Sequence, residues 1–263
     1  MSVAQELSGR VAVVTGATRG IGLAIARRFA EAGAIVGVAG RNEAAAAQVA
    51  AAIRAAGGRA FAARCDVAKR GDAEALRDAV HREAGPATII VNNAGIARSA
   101  RVQDTDDALW DETLAVNLTG AFQIIRAFLP DVLAAGVRGR ILNIASVAAK
   151  VGWPYTTAYC AAKHGLLGLT RALALEIARK GPTANCICPG WVDTDMAAEA
   201  VARIDDMTGR GADAARAELE QMNPQRRFMT ADEIAAATLF LATDAARGVT
   251  GQAWNIDGGG VMS

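Results

Sequence analysis

"RVAVVTGATRGIG", Arg10 to Gly22, is an apolar β-branched run that passes directly into a glycine-rich turn and then into "LAIARRF", a segment of helical period. A strand that feeds a glycine turn and then a helix makes a phosphate cradle. The glycines allow a tight bend and close backbone approach, and the helix N-terminus offers N–H groups and positive dipole to an anion. Glycines at 16, 20 and 22 give the spacing G-x-x-x-G-x-G rather than the commoner G-x-G-x-x-G. Standing at the first strand-to-helix junction, the turn predicts dinucleotide binding by Gly16, Thr18, Arg19, Gly20, Ile21 and Gly22.

Outward from this junction the same alternation continues. Strands are expected at 10–15, 34–39, 59–64, 87–92, 139–145, 183–188 and 252–256, separated by alanine-rich, charged segments with three- and four-residue apolar spacing. The pattern predicts an α/β fold: one Rossmann-type, doubly wound parallel sheet of about seven strands with helices on both faces. No linker, repeat or low-complexity block interrupts residues 1–263, so one dinucleotide-binding and catalytic domain is expected. Residues from 190 to about 228 form a long excursion between the sixth and seventh strands, with helical pieces and no strand. Following a strand's carboxyl end, it is expected to cover a ligand crevice.

Composition narrows the function. The formal charge is +1 with acids and bases intermixed, which argues against a nucleic-acid-binding stripe. No apolar run reaches the ~18 residues of a membrane span. The N-terminal "MSVAQELSGR" lacks the layout of a secretory signal, so the cytosol is the expected compartment. Cys186 and Cys188 are too close for a usual zinc site and share one strand face, where they read as small core side chains, and His81 and His164 have no evident partner. Metal chemistry is not expected.

The tip of the second strand reads "VAGRNE", with Arg41 where a carboxylate would favour a free ribose 2′-hydroxyl. Arg19 adds a second cation within the glycine turn. Two guanidiniums suit a 2′-phosphate, so NADP(H) is the expected cofactor.

A second stretch, "TTAYCAAKHG" (156–165), places Tyr159 and Lys163 four residues apart on one helix face. An ammonium beside a phenol would lower its pKa toward a range useful for proton transfer. Around this pair the chain resembles the short-chain dehydrogenase/reductase family over essentially its full length. The pieces that carry the resemblance are "TGATRGIG" (15–22), "CDV" (65–67), "NNAG" (92–95), "VN" (116–117), "NIAS" (143–146), "YCAAK" (159–163), "PGWVDT" (189–194) and "NIDGG" (255–259).

The resemblance implies a proton donor in Tyr159, a carbonyl-binding hydroxyl in Ser146, a ribose ligand in Lys163 and a water-positioning amide in Asn117. It also implies that Asp66 and Val67 border the adenine and that Asn93, Ala94 and Gly95 lie along the cofactor. Pro189, Gly190, Val192 and Thr194 would lie toward the nicotinamide end.

Within the family the chain looks like the NADPH-dependent 3-oxoacyl-[acyl-carrier-protein] reductases and related ketoreductases. It also looks like the NAD-dependent 3-hydroxybutyrate dehydrogenases. Those bind a free carboxylate through a glutamine, a histidine and a lysine, where this sequence has Ala97, Ala148 and Thr156. Trp153, Tyr155, Trp191 and Met196 are candidate walls of an apolar pocket for a small-molecule ketone, its alcohol or an acyl thioester. Arg98, Arg101 and Arg138 are a candidate docking patch for an acidic carrier protein. A non-catalytic sensor or scaffold would be expected to lack Ser146, Tyr159 or Lys163, and all three are present. Family members of this length also imply a homotetramer.

Overall fold

Each predicted strand is apolar on both of its faces, which suits a parallel sheet covered on both sides by helices. The computed structural model of the protein describes residues 5–262. The first four residues of the stretch read as lacking a leader, and Ser263, lie outside them.

The seven strands are β1 (Val11–Thr15), β2 (Ile35–Gly40), β3 (Arg59–Arg64), β4 (Ile89–Asn92), β5 (Arg140–Ile144), β6 (Thr183–Pro189) and β7 (Ala253–Ile256). They form one sheet in the order β3-β2-β1-β4-β5-β6-β7, every pair parallel. The expected runs match these strands to within two residues at either end. The chain winds outward from β1 to β3 and returns to β4 beside β1. Helices therefore leave in opposite directions at the β1/β4 junction, and a crevice opens above the strands' carboxyl ends.

Nine α-helices flank the sheet among the described residues. They are α1 (Gly20–Glu31), α2 (Glu43–Ala55), α3 (Asp72–Ala84), α4 (Asp107–Leu114), α5 (Gly120–Ala134), α6 (Thr157–Ile177), α7 (Asp195–Thr208), α8 (Ala212–Gln221) and α9 (Ala231–Ala242). On one face Ile25 and Phe29 of α1 and Ile234 and Leu239 of α9 join Val14, Val36 and Leu142 in a single apolar layer. On the other, Leu76 of α3, Phe128 of α5 and Ile177 of α6 pack with Val13, Ile90 and Ile141. Burying one such side chain contributes about 1.5–3 kcal/mol, so the two layers fix the strands whose ends build the crevice.

The excursion is the helix pair α7–α8, joined to the sheet by a narrow neck. Ala197, Val201, Ala215, Leu219 and Phe228 form a small apolar core of its own. At the neck a single parallel bridge joins Val192 to Met229, pairing that the sequence did not predict.

Two other expectations are corrected, while the cysteines stand in the core as read. His81 Nε2 lies 2.6 Å from Asp131 Oδ2 of α5, and His164 Nδ1 lies 2.9 Å from the Cys160 carbonyl, so both have partners. Arg138 precedes β5, at the opposite end of the sheet from the crevice, and Arg98 pairs with Glu112 at 3.3 Å. The three arginines therefore do not form one patch. Cys186 and Cys188 are fully buried, and Cys186 bonds Thr170 Oγ1 at 3.1 Å. No group of three metal-binding side chains occurs among the described residues.

Two guanidiniums are buried at the amino end of the sheet. Arg10 donates to Thr88 Oγ1 at 3.0 Å and to the carbonyls of Arg138 and Ala242, and Arg140 donates to the carbonyls of Val137, Gly139 and Thr243. Asp244 lies 3.7 Å from each. Burial, helped by mutual repulsion with Arg140, pulls Arg10 down to about 10. Asp244 is itself exposed, which limits its strength as a counter-ion. We expect Asp244→Asn to destabilise the protein by about 1–2 kcal/mol, because two buried cations lose their shared carboxylate. The urea-unfolding midpoint checks this, and an unchanged midpoint would show that the backbone carbonyls suffice.

Candidate active site

The glycine turn closes over the carboxyl ends of β1 and β4. Thr15 Oγ1 accepts the N–H groups of Asn93 and Ala94, each at 3.1 Å, and the Asn93 amide donates to the carbonyls of Thr15 and Gly16 at 2.9 and 3.1 Å. Gly22 is required here, since a Cβ would stand 2.4 Å from both the Asn93 amide and the Gly16 carbonyl. The first helical bond of α1 runs from Leu23 N to Arg19 O, which leaves the N–H groups of Gly20, Ile21 and Gly22 at the helix's open end. Arg19 supplies no side-chain cap, and the first turn has no acid. This donor set fits a pyrophosphate.

Around it lie the other residues expected to meet a dinucleotide. Thr18 packs beside Gly40, the last residue of β2, and Arg41 follows it, exposed. Asp66 and Val67 follow β3, where Asp66 Oδ1 accepts the Ala68 N–H at 3.2 Å and Val67 is buried. Arg19 differs from expectation. Its guanidinium pairs with Asp195 at 3.3 Å and lies 3.8 Å from Glu199, both on α7.

Asn117 sits in a π-helical turn, Ala115–Thr119, between α4 and α5. Its amide accounts for this turn. Nδ2 donates to Thr113 O and to Ile96 O, both at 3.0 Å, and Oδ1 accepts the Ile96 N–H at 3.1 Å. The side chain thus bonds the carbonyl four residues back, which an α-helix would give to a backbone N–H. It also fixes the loop following "NNAG". Gly95 is needed for this approach, since a Cβ there would lie 2.8 Å from Asn117 Oδ1.

Ser146 follows β5, and Tyr159 and Lys163 project from the first two turns of α6. The Ser146 hydroxyl bonds the Tyr159 phenol, and Lys163 Nζ lies 5.6 Å from the centroid of the tyrosine ring. Lys163 donates to the Ile144 carbonyl at 2.9 Å and is almost completely buried. Tyr159 keeps some surface exposed, yet its packing pushes the phenol up to about 12, with the Ser146 bond acting in the opposite sense. Burial pulls Lys163 down to about 8. The lysine was expected to lower the tyrosine's pKa. With its ammonium held on Ile144 O and desolvation dominant, the structure gives the reverse.

The residues expected at the nicotinamide end and against the substrate have mixed surroundings. Pro189 ends β6, and Gly190 donates to Ile256 O at 3.1 Å. Val192 is in the neck bridge, and Thr194 is the N-cap of α7, against Gly20. Trp191 stacks on Phe228 with centroids 6.1 Å apart and so belongs to the excursion's core, whereas Met196 is exposed. Trp153 has a buried indole N–H with no acceptor. Tyr155 adopts a left-handed φ of 63°, and its carbonyl accepts the Ala100 N–H at 2.8 Å, tying the loops after β4 and β5.

Some supporting residues carried no signal that was read from the sequence. Asn92 donates to Asn143 at 2.8 Å, and Asn143 donates to Thr170 at 2.7 Å, a buried ladder beneath the tyrosine and lysine. Asp195 and Glu199 are one helical turn apart, and that spacing could have marked them as a pair.

The buried lysine makes stability depend on pH. Below about 8 both folded and unfolded chains hold its proton, and the folded state carries the full desolvation cost. Between there and the ordinary value of 10.5 only the unfolded chain stays protonated, so stability rises with pH. We expect wild type to gain up to about 3 kcal/mol relative to Lys163→Met across this window. Unfolding curves at a series of pH values check this, and parallel profiles would contradict it.

Known proteins resemble this chain over nearly its full length. A family model described as enoyl-(acyl carrier protein) reductase matches residues 16–260. A D-beta-hydroxybutyrate dehydrogenase of Cupriavidus necator is 41% identical over 256 residues, covering 97% of this chain and 99% of that one. A D-threitol dehydrogenase of Mycolicibacterium smegmatis is 41% identical over 269 residues, covering 98% of each. A crystal structure of an actinorhodin polyketide ketoreductase variant with NADPH superposes with a TM-score of 0.92 at 38% identity, covering 98% of both chains. By the family model over residues 16–260 and by these relatives, the chain belongs to the short-chain dehydrogenase/reductase family of oxidoreductases.

Proposed function

We propose that the protein is an NADP(H)-dependent reductase that converts a ketone to a secondary alcohol, with β-ketoacyl thioesters among its candidate substrates. The observation that carries this is the convergence of Ser146, Tyr159 and Lys163 beside the uncapped N-terminus of α1. Gly16, Thr18, Gly20, Ile21 and Gly22 would hold the pyrophosphate, Arg41 and Arg19 the 2′-phosphate, and Asp66 and Val67 the adenine. Asn93 to Gly95, Pro189, Gly190, Val192 and Thr194 would line the rest of the cofactor. Asn117 and Lys163 would fix its ribose end. When bound, NADPH supplies a hydride equivalent to the carbonyl carbon.

The chain's own residues handle the oxygen. The Ser146 hydroxyl donates to it and stabilises the charge that develops there. Tyr159 then gives it a proton. A phenol pushed up to about 12 stays protonated at neutral pH, so the donor is loaded for reduction. The alcohol-oxidising direction requires the phenolate. Lys163 would have to leave Ile144 O and approach the phenol to make that form accessible.

We place the substrate under α7–α8, with Trp153 and Met196 against it and Trp191 holding the cover's neck. A homotetramer in the cytosol completes the proposal. A 3-hydroxy acid dehydrogenase is the second reading, favoured by the identity to the Cupriavidus necator relative. Against it, Ala97 and Ala148 bring no cation, and the Thr156 hydroxyl is bonded to Trp153 O at 2.9 Å. A free carboxylate without a charged partner in a closed pocket would be costly.

Two measurements test the proposal. Tyr159→Phe is expected to lower ketone-reduction kcat by about two to four orders of magnitude with little change in NADPH affinity, and a kcat equal to wild type would remove tyrosine as the donor. For wild type, kcat/KM with NADPH should exceed that with NADH by at least about tenfold. Arg41→Ala should narrow this ratio. It is a cleaner substitution than Gly40→Asp, whose Cβ would stand 2.9 Å from the Thr18 methyl. A preference for NADH would return the 3-hydroxy acid dehydrogenase to first place.

A further inference from the structure

Arg19 holds a position that two different anions can claim. It is the N-cap of α1, inside the glycine turn, and its backbone is extended at φ −157°. Its guanidinium leaves the turn and meets α7, where Asp195 Oδ2 lies 3.3 Å and Glu199 Oε1 3.8 Å from Nη1. The two acids occupy positions i and i+4 of α7 and so share one helix face. Thr194, the residue before them, has its methyl 3.4 Å from where a Cβ on Gly20 would stand, so α7 begins directly against the cradle.

We propose that Asp195 and Glu199 set the discrimination between 2′-phosphorylated and unphosphorylated adenine nucleotides by competing with the 2′-phosphate for Arg19. The inference rests on the cofactor reading above and deepens it. A 2′-phosphate carries between one and two negative charges and needs the guanidinium that the two carboxylates now hold. Their charge also opposes the approach of a phosphate to the same spot. A nucleotide with a free 2′-hydroxyl makes no such demand and is indifferent to where Arg19 points. The two acids thus weaken one ligand class and leave the other untouched. All three side chains are more than half exposed, at 66%, 65% and 58%, so the competition is modest and sensitive to salt.

Calorimetric titration of the full chain with adenosine 2′,5′-bisphosphate and with adenosine 5′-monophosphate tests this directly, without turnover. Asp195→Asn/Glu199→Gln keeps the side-chain shapes on exposed positions, and its thermal unfolding should match wild type. The double variant is expected to bind the bisphosphate about two- to fivefold more tightly at low ionic strength. The monophosphate should be unaffected, and the gain should shrink as salt is raised. An unchanged or weaker affinity for the bisphosphate, where Arg19→Ala does weaken it, would overturn the competition while sparing the cofactor reading. An equal gain for both nucleotides would also overturn it, since that would be a general field effect. If neither Arg19→Ala nor Arg41→Ala alters bisphosphate binding, the cofactor reading fails and the inference falls with it.

Discussion

The clasp between Thr15 and Asn93 holds the two halves of the molecule together where they diverge. β1 and β4 are neighbours in the sheet, yet the chain leaves them in opposite directions, and nothing in the ladder continues past their ends. Four hydrogen bonds from the loop after β4 to Thr15, the last residue of β1, and to Gly16 close that gap. With the loop fixed, Gly95 and Ile96 come within reach of Asn117, whose amide then imposes the π turn between α4 and α5. The glycine turn, the "NNAG" loop and the asparagine turn are thus one connected structure. The links are hydrogen bonds between side chains and backbone, so a change at Thr15, Asn93 or Asn117 is felt by the others.

Much of this was legible in the chain because its signals are local. Short apolar runs between segments of helical period located all seven strands, and the Tyr159–Lys163 spacing fixed their common helix face before any fold was known. The departures come from groups whose partners are distant in sequence. His81 is satisfied by Asp131, fifty residues on, and Arg19 by acids on α7 that are more than 170 residues away. Arg138 looked like a companion of Arg98 in composition, but a parallel sheet puts residues before a strand and after a strand at opposite ends. The tyrosine's pKa was misjudged for a similar reason. Proximity to Lys163 is visible in the sequence, whereas desolvation depends on how β5, β6 and α6 close around both groups.

The site and the scaffold also divide their electrostatic burdens. At the carboxyl end of the sheet an ammonium and a phenol are packed into surroundings that oppose their charged forms. At the amino end two guanidiniums are buried against backbone carbonyls and one shared acid, with Arg140 Nε alone left without a partner. The first arrangement leaves groups poised to exchange protons, and the second leaves cations that stay charged and clip the ends of strands together. Strain tolerated for chemistry is thus kept a full strand length from the cations that anchor the fold.

The small apolar core of α7 and α8 has a consequence for how such a protein can change. Because Val201, Leu219 and Phe228 pack on one another rather than on the sheet, the cover is nearly self-sufficient. Its attachments are the neck at Val192 and Met229, the ion pairs with Arg19, and the packing of Asn223 against Gly258 beyond β7. A segment joined in this way is transplantable. Its sequence can be rewritten or replaced by another helix pair without repacking the layers that hold Ser146, Tyr159 and Lys163. On the function proposed above, exchanging this helix pair would change substrate preference while Ser146, Tyr159 and Lys163 keep their places.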